Sequence, residues 1–253
     1  GDNWHKFSNG LPTISVRDLA IQKRENDLVL ATFGRSFYVL DDYSPLRDMT
    51  KENLTNDGVI FEPRKALQFN QVYGGTSSDG GQTYYASNPQ YGASITYYVK
   101  DAPESMKAKR KKSERAKKDG DIPFPGWDAL DDEMAEQKNQ VVLVVKNKDG
   151  EIVSKIPGPL RKGVSRVNWN LTSSIPTTVR ATSRTSRRGW RGGSGGGITT
   201  QVDPGTYDLF LMKRVGGEVS QIAGPVELVV EKIRSGTLTN PMKEQHDEYY
   251  TRL

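Results

Sequence analysis

Short runs of strand-forming residues, separated by turn formers, constrain the fold of this chain more than any other feature. In the first seventy residues these runs are rich in β-branched and aromatic side chains, and several alternate in polarity. They begin at Trp4, Val16, Asp27, Ser36 and Gly58. Strand, turn and strand at this spacing is typical of a propeller blade, in which about forty residues form a four-stranded sheet.

Composition favours the same fold class and excludes several others. The 253 residues suffice for one large or two ordinary domains, and 25 glycines with 13 prolines favour turns and short strands. The sequence has no run of eighteen apolar residues, which predicts that this piece does not span a membrane. It also has no cysteine, so disulfides, thiolate metal sites and cysteine nucleophiles are excluded. We therefore expect a mainly β fold.

The second half of the sequence shows cleaner alternation. The segments Val141–Val145 and Glu151–Ile156 flank Lys148-Asp149-Gly150, and an Asp-Gly pair supplies the positive φ that a tight hairpin requires. Val167, Trp169 and Leu171 share one face of the next strand, which predicts that Trp169 anchors a half-buried sheet. A later strand repeats this pattern with Tyr207, Leu209 and Leu211. This style of alternation indicates antiparallel sheets.

Two segments interrupt the β pattern. Residues 102–139 have helical composition and predict an insertion of one or two surface helices. Residues 183–197 are rich in glycine and arginine, which predicts a flexible loop. The polar end of the sequence, residues 234–253, predicts a terminal tail or helix.

Gly1-Asp2-Asn3-Trp4 has the form of the second half of an Asp-box, S-x-D-x-G-x-x-W, and the strands of residues 16–42 follow it. These segments resemble one bacterial family of sortilin-like proteins with Asp-box (BNR) repeats, whose members are often labelled glycosyl hydrolases. Residues 16–42 resemble the family's closing blade. Residues 88–101 resemble the opening of its C-terminal domain. The resemblance implies the last blade of a β-propeller followed by an immunoglobulin-like β-sandwich.

The domain organisation follows from combining the pattern with the resemblance. We expect the end of a propeller at 1–70, a linker at 71–87 and the sandwich with its helical insertion at 88–233. One and a half blades cannot close a ring, because each blade buries its faces against neighbours. The expected partner of residues 1–70 is therefore the rest of a longer polypeptide that supplies the missing blades.

Three segments are candidate sites. Ser77–Tyr84 matches the Asp-box spacing with tyrosine in place of tryptophan, as a blade turn, a calcium-binding loop or a coincidence in a Gly/Ser-rich linker. The basic run Lys107–Lys118 could attract phosphates or acidic lipid. The acidic stretch Asp128–Glu136 offers a local partner, which favours a solvated, partly self-neutralised helix pair. Trp190 lies among Arg184, Arg187, Arg188 and Arg191, a composition compatible with RNA binding, docking to a partner or a plain loop. Nucleic acid is not the expected partner.

No residue is assigned a catalytic, cofactor-binding or metal-binding role. The two histidines, His5 and His246, lie near opposite ends, and the motifs of metal hydrolysis, serine nucleophiles and nucleotide binding are missing. The acidic pairs Asp41-Asp42 and Asp131-Asp132 could serve a glycosidase only if folding set two carboxyls about 5 to 10 Å apart. Asp41-Asp42 fits a turn cap better. Asn53 and Asn170 begin glycosylation sequons, which a bacterial source would leave unmodified.

The expected function is non-catalytic: protein or ligand binding and assembly by a secreted, extracellular or outer-membrane associated protein. Other cell-surface proteins are the expected partners, and no cofactor is expected. One alternative is a sialidase-like glycoside hydrolase whose catalytic residues lie in the missing blades. Another, implied by the sortilin resemblance alone, is binding of peptide or protein cargo.

Overall fold

The chain is mainly β and divides into two compact units. The structure is a computed structural model that describes residues 6, 10–69, 89–116, 124–174 and 199–234. Among the described residues, the first unit contains those up to Asn53 together with Pro89, and the second unit contains residues 54–69 and those from Gln90 onward.

The first unit is built on an antiparallel sheet of three strands in the order β1-β2-β3. The strands are β1 Val16–Gln22, β2 Asp27–Thr32 and β3 Phe37–Leu40, at the positions that the sequence predicted. A short helix, α1, Ser44–Arg47, follows with Pro45 in its first turn, where a missing backbone N–H costs no hydrogen bond. Apart from Lys6, the strand predicted at Trp4 lies outside the described residues.

The second unit contains a sheet of five strands in the order β5-β13-β12-β7-β8. All neighbours are antiparallel except β5 and β13, which are parallel. The strands are β5 Ala66–Gln68, β7 Gln140–Lys146, β8 Ile152–Gly158, β12 Gly205–Val215 and β13 Glu218–Lys232.

A sheet of three strands, in the order β4-β6-β9, completes the core of this unit. Its strands are β4 Gly58–Ile60, β6 Ala93–Val99 and β9 Gly163–Trp169. A short ribbon pairs β10 Thr172–Ser174 with β11 Thr199–Gln201. The helices α2 Met106–Ala116 and α3 Trp127–Ala135 lie between β6 and β7, within the predicted insertion.

Alternation in both sheets creates one shared core. Four strands contribute buried side chains to this core. They are Ile95, Tyr97 and Val99 on β6, Val141, Leu143 and Val145 on β7, Tyr207, Leu209 and Leu211 on β12, and Trp169 at the end of β9, with Leu171 just after it. Because inward positions recur with the period of two of a strand, each sheet presents one apolar face to the other. The predicted burial of Trp169 and of the Tyr207 face is confirmed.

The predicted hairpin is also confirmed. β7 and β8 pair antiparallel, with Val145 opposite Ser154, and Gly150 in the connection has φ +83°. An L side chain rarely adopts that conformation, so the Asp-Gly pair of the sequence marked the turn correctly.

The placement of β4 and β5 differs from the sequence prediction. The run at Gly58 was expected to belong to the propeller part, up to residue 70, but β4 pairs with β6 and β5 pairs with β13 of the second unit. Strands of three residues carry too little alternation to indicate their partner. The predicted linker at 71–87 lies almost wholly outside the described residues.

Candidate functional site

One face of the first unit's sheet is apolar and partly exposed. Residues directly opposite each other in an antiparallel pair share a face of the sheet. On this face Leu19 pairs with Leu30, Ile21 with Leu28, and Leu28 with Leu40. Leu30 is buried, whereas Leu19 is 60% exposed and Ile21 47% exposed.

The opposite face of the same sheet is apolar as well. Ala20 pairs with Val29, Val29 with Val39, and Ala31 with Phe37. Phe37 is 69% exposed and Val39 55% exposed. A sheet that faces water on one side normally alternates apolar and polar residues, so apolar side chains on both sides indicate a sheet that is built to be covered twice.

The acidic pair Asp41-Asp42 lies where β3 ends and the chain turns into α1. Asp42 is buried, and its Oδ1 accepts hydrogen bonds from the Oγ of Ser44 at 2.5 Å and from the Ser44 backbone N–H at 3.2 Å. The Asp42 backbone N–H donates to Oδ1 of Asp27 at 2.9 Å. These contacts hold the turn, since an Asp side chain that accepts from the N–H two residues later fixes the local backbone.

The helices α2 and α3 are joined by a charged contact. Arg110 donates through Nε and Nη2 to the two carboxylate oxygens of Glu133, at 2.6 and 3.0 Å, and through Nη1 to Glu114 at 2.7 Å. The Met106 N–H donates to Glu136 at 2.8 Å. The guanidinium of Arg110 holds the pKa of Glu133 below its usual range. The predicted acidic partner for the basic run is therefore confirmed for Arg110.

In the described part of the chain, the other basic residues of α2 form no ion pair with α3, although the charges of Lys107 and Lys111 also lower the pKa of Glu133. No residue of α2 is buried, and only Arg110 and Glu114 are partly buried. Lys111, Lys112 and Arg115 line a shallow groove together with Glu104 and Ala108. Lys112 donates to Glu104 at 2.8 Å, whereas among the described residues neither Lys111 nor Arg115 forms an ion pair.

α3 presents an exposed apolar surface. Trp127 is 73% exposed and Met134 78% exposed, and Phe124 just before the helix meets the Trp127 ring edge-on with centroids 5.1 Å apart. Asp131 and Asp132 are exposed on this helix. The sequence does not predict the exposure of Trp127, because a single tryptophan in a helical segment does not reveal which way it faces.

An aromatic corner fixes the start of β12 in the second unit. Tyr207 packs edge-on against Trp169 at 5.4 Å, and its hydroxyl donates to the Asp203 carbonyl at 2.7 Å. Nε1 of Trp169 donates to the Thr172 carbonyl at 3.0 Å. Burial, reinforced by the Asp203 carboxylate, raises the pKa of Tyr207. Both polar atoms are thus satisfied inside the core, which defines a structural anchor.

Four of the sequence-derived candidates lie outside the described residues: His5, His246, the segment Ser77–Tyr84 and the Gly/Arg-rich segment with Trp190. Of the two sequons, Asn53 donates from Nδ2 to the Asp48 carbonyl at 2.7 Å, whereas exposed Asn170 accepts from the Thr172 hydroxyl at 2.6 Å.

Within the described ranges, no three or more His, Cys, Asp or Glu side chains are grouped so that they could hold a metal ion. In the same part of the chain, no helix has both the length and the apolar character needed to cross a membrane.

Comparison with family models, curated proteins and solved structures found no match. The resemblance to Asp-box repeat proteins therefore stays a prediction.

Proposed function

We propose that this chain is a non-catalytic part of a secreted or cell-surface β-propeller protein that acts in protein or ligand binding and assembly. The observation that carries the proposal is the first unit's sheet, whose Leu19 and Ile21 on one face and Phe37 and Val39 on the other are all exposed. Such a sheet needs a neighbour on each side.

A propeller blade meets that requirement. Blades are arranged radially, so that each sheet is covered on both faces by the adjacent blades. Burying a large apolar side chain stabilises by about 1.5–3 kcal/mol, so the four exposed residues represent a substantial gain that is available only in a larger assembly. β1, β2 and β3 would be strands of one blade, and the neighbouring blades of the same polypeptide would be the first partner.

The second unit supports an immunoglobulin-like accessory domain. In that fold the second and fifth strands pair in one sheet, while the third, sixth and seventh pair in the other. β6 pairs with β9 in one sheet, and β12 pairs with both β7 and β13 in the other. This follows the immunoglobulin order when β4 and β5 are taken as two parts of the first strand. β8 extends the second sheet beyond β7, as an additional strand does in variable-type domains.

The aromatic corner is the second support for this assignment. Immunoglobulin-like domains carry a tyrosine near the start of the sixth strand whose hydroxyl bonds to the backbone a few residues upstream. Tyr207 occupies that place and bonds to the Asp203 carbonyl. Trp169 differs, since it lies on β9 rather than on the third strand as in antibody domains. The strand order and Tyr207, not the tryptophan, carry the likeness.

Hydrogen–deuterium exchange on the native polypeptide that contains this sequence tests the proposal, with the isolated 253-residue chain as the reference. We expect amides of β1–β3 to exchange much more slowly in the native polypeptide, because neighbouring blades cover both faces, and amides of β7 and β12 to exchange at similar rates in both. Peptide mapping should also recover upstream segments with repeated S-x-D-x-G-x-x-W turns.

Equal exchange of β1–β3 in the two samples, or a native chain without such upstream repeats, would overturn the propeller assignment. If the native polypeptide contains the repeats and also cleaves glycosides, the non-catalytic part of the proposal fails while the propeller stands. Catalytic residues would then be sought in the upstream blades.

A further inference from the structure

The two sides of α2 differ in what they contact. One side is directed to α3 through Arg110, which is bound by Glu133 and Glu114. The other side carries Lys111, Lys112 and Arg115, all exposed, around the groove described above. The sequence places basic residues all around this helix. Arg110 is bound by Glu133 of α3 and Lys112 by Glu104, and the charges of Lys107 and Lys111 also lower the pKa of Glu133. Among the described residues, Lys111 and Arg115 line the groove without an ion pair of their own.

The groove has the charge pattern of a site for a linear anion, because three of its five lining residues are basic. It measures about 420 Å³, and Ala108 lines it between the longer basic side chains. Lys111 and Arg115 are one helical turn apart, about 6 Å, so successive negative charges on a ligand could be met in turn. Glu104, held by Lys112 at 2.8 Å, adds a carboxylate to the same surface.

We propose that this groove binds an anionic polysaccharide, a sugar chain with carboxylate or sulfate groups. Lys111 and Arg115 would bind the anionic groups by charge-assisted hydrogen bonds, and Glu104 would accept hydrogen bonds from sugar hydroxyls. The choice of an extracellular ligand rests on the proposed function, because a secreted or cell-surface protein meets such polymers. Clusters of basic residues are a known type of site for sulfated polysaccharides.

The acidic residues of the helix pair favour a sugar chain over nucleic acid. Duplex DNA carries about one negative charge per 1.7 Å, and that density would be repelled by Glu104 in the groove and by Asp131 and Asp132 on α3. A polysaccharide has uncharged hydroxyl-bearing stretches between its anionic groups, and hydroxyls can donate to carboxylates. A mixed surface of cations and carboxylates therefore suits it better.

An exposed aromatic pair lies at the same end of the helix pair as Arg115. The contacts of Met106 with Glu136 and of Arg110 with Glu133 make α2 and α3 antiparallel, so the end of α2 lies near the start of α3. Trp127 begins α3 and contacts Phe124. Its exposed ring offers a flat apolar surface on which the apolar face of a sugar ring can pack.

Binding of the 253-residue chain to heparin, with hyaluronan as a carboxylated probe and dextran as a neutral one, tests the proposal. The variant Lys111→Gln/Arg115→Gln should weaken binding of the anionic probe on the order of tenfold, since it removes two ionic contacts. It should also reduce the dependence of Kd on salt. The matched control is Arg161→Gln/Lys162→Gln, which removes the same charges from an exposed loop between β8 and β9 and should change Kd less than about twofold.

A third variant, Trp127→Ala, separates packing from charge. It should weaken binding without changing the salt dependence, because the ring contributes no charge. Since no residue of α2 or α3 is buried, circular dichroism of each variant should match the parent chain.

Several outcomes would overturn the proposal. Equal weakening by both double variants would indicate a general charge effect, and tighter binding of a short DNA through Lys111 and Arg115 would indicate a nucleic-acid site. Loss of binding only in Arg187→Gln/Arg188→Gln would place the site in the Gly/Arg loop. No binding of either anionic probe would also overturn it. None of these results bears on the exchange test of the propeller, so the two proposals can fail separately.

Discussion

The two units handle apolar residues on their sheets in different ways. In the second unit, strands such as β9 alternate, with Ser165, Val167 and Trp169 buried and with exposed Arg166 and partly buried Asn168 between them. Two sheets close over one core. In the first unit, β1 has all of its residues exposed, and apolar side chains lie on both faces of the sheet. One apolar face per sheet makes a self-sufficient pair, whereas two apolar faces make a sheet that depends on neighbours.

The largest expected effect is in the core of the self-sufficient unit. Trp169→Ala removes a side chain that is 1% exposed, so the free energy of unfolding of the second unit should fall by about 3–5 kcal/mol. Chemical denaturation followed by circular dichroism measures this. The matched change in the first unit, Phe37→Ala, should cost less than about 0.5 kcal/mol, because exposed substitutions have little effect. If both variants lost the same free energy of unfolding, the first unit would be stabilised by its own packing, which would contradict the difference between the two units.

A glycine at the junction of β6 and β9 should give the next largest effect. Gly92 has φ +118°, and a Cβ there would lie 2.0 Å from the Trp169 carbonyl oxygen. Gly92→Ala should therefore destabilise the second unit by about 2–4 kcal/mol through backbone strain and displacement of β9.

The control for this change is Gly150→Ala in the β7–β8 turn. Gly150 also has positive φ, but no atom lies within 4 Å of its Cβ position. Its cost should be about 1 kcal/mol, the penalty of the left-handed conformation alone. If the two variants lose equal stability in thermal unfolding, the close approach of Gly92 to β9 is not the cause.

The aromatic corner should contribute a smaller amount. Tyr207→Phe removes the hydrogen bond to the Asp203 carbonyl and leaves the ring against Trp169, so a loss of about 1 kcal/mol is expected. Tyr98→Phe is the comparison, since its hydroxyl lies 3.4 Å from the Leu54 carbonyl and forms a weaker bond. A larger loss in the Tyr98 variant would contradict the role assigned to the corner.

The smallest effect concerns the periphery of the second unit. Because Arg110 lowers the pKa of Glu133, this pair stabilises the α2–α3 contact above the ordinary glutamate pKa of about 4.3, and the contribution is lost as pH falls through the lowered value. Far-ultraviolet circular dichroism should show helical signal lost in acid while the β signal persists. The variant Glu133→Gln should show the weaker contact already at neutral pH. If the helical signal of this variant were lost at the same pH as in the parent chain, other carboxylates would be the cause of the acid transition.

Local patterns allowed much of the fold to be predicted. Alternation and turn residues act over a few positions, and they predict local elements well. The elements predicted in this way are the strands β1, β2 and β3, the β7–β8 hairpin, and the inward faces at Trp169 and Tyr207. The insertion of helices between β6 and β7 follows from composition.

Partners distant in sequence could not be predicted. β4 and β5 are too short to show a pattern, and their sheet is decided by pairing with β6 and β13. β13, the longest strand, was missed because Gly224 and Pro225 in its interior are typical of a strand boundary. In the structure, shifts of the ladder near Leu209 and Leu211 accommodate these residues.

The same limit applied to the candidate surfaces. The sequence located the basic run and its acidic partner, but which cations face outward depends on how α2 packs on α3 through the contacts of Arg110 with Glu133 and of Met106 with Glu136. The apolar residues on both faces of the first sheet were present in the sequence, yet their exposure is a property of the folded chain.

The parallel pairing of β5 with β13 has a mechanical consequence. Val230 lies opposite Ala66 and Lys232 opposite Gln68, and Lys65 bonds to Glu231 across the same pair at 2.7 Å. Tension applied to the chain before β5 and after β13 pulls these two strands in opposite directions along their length. The hydrogen bonds between them lie across that direction and are loaded together, so the edge of the sheet resists by shear rather than opening one bond at a time.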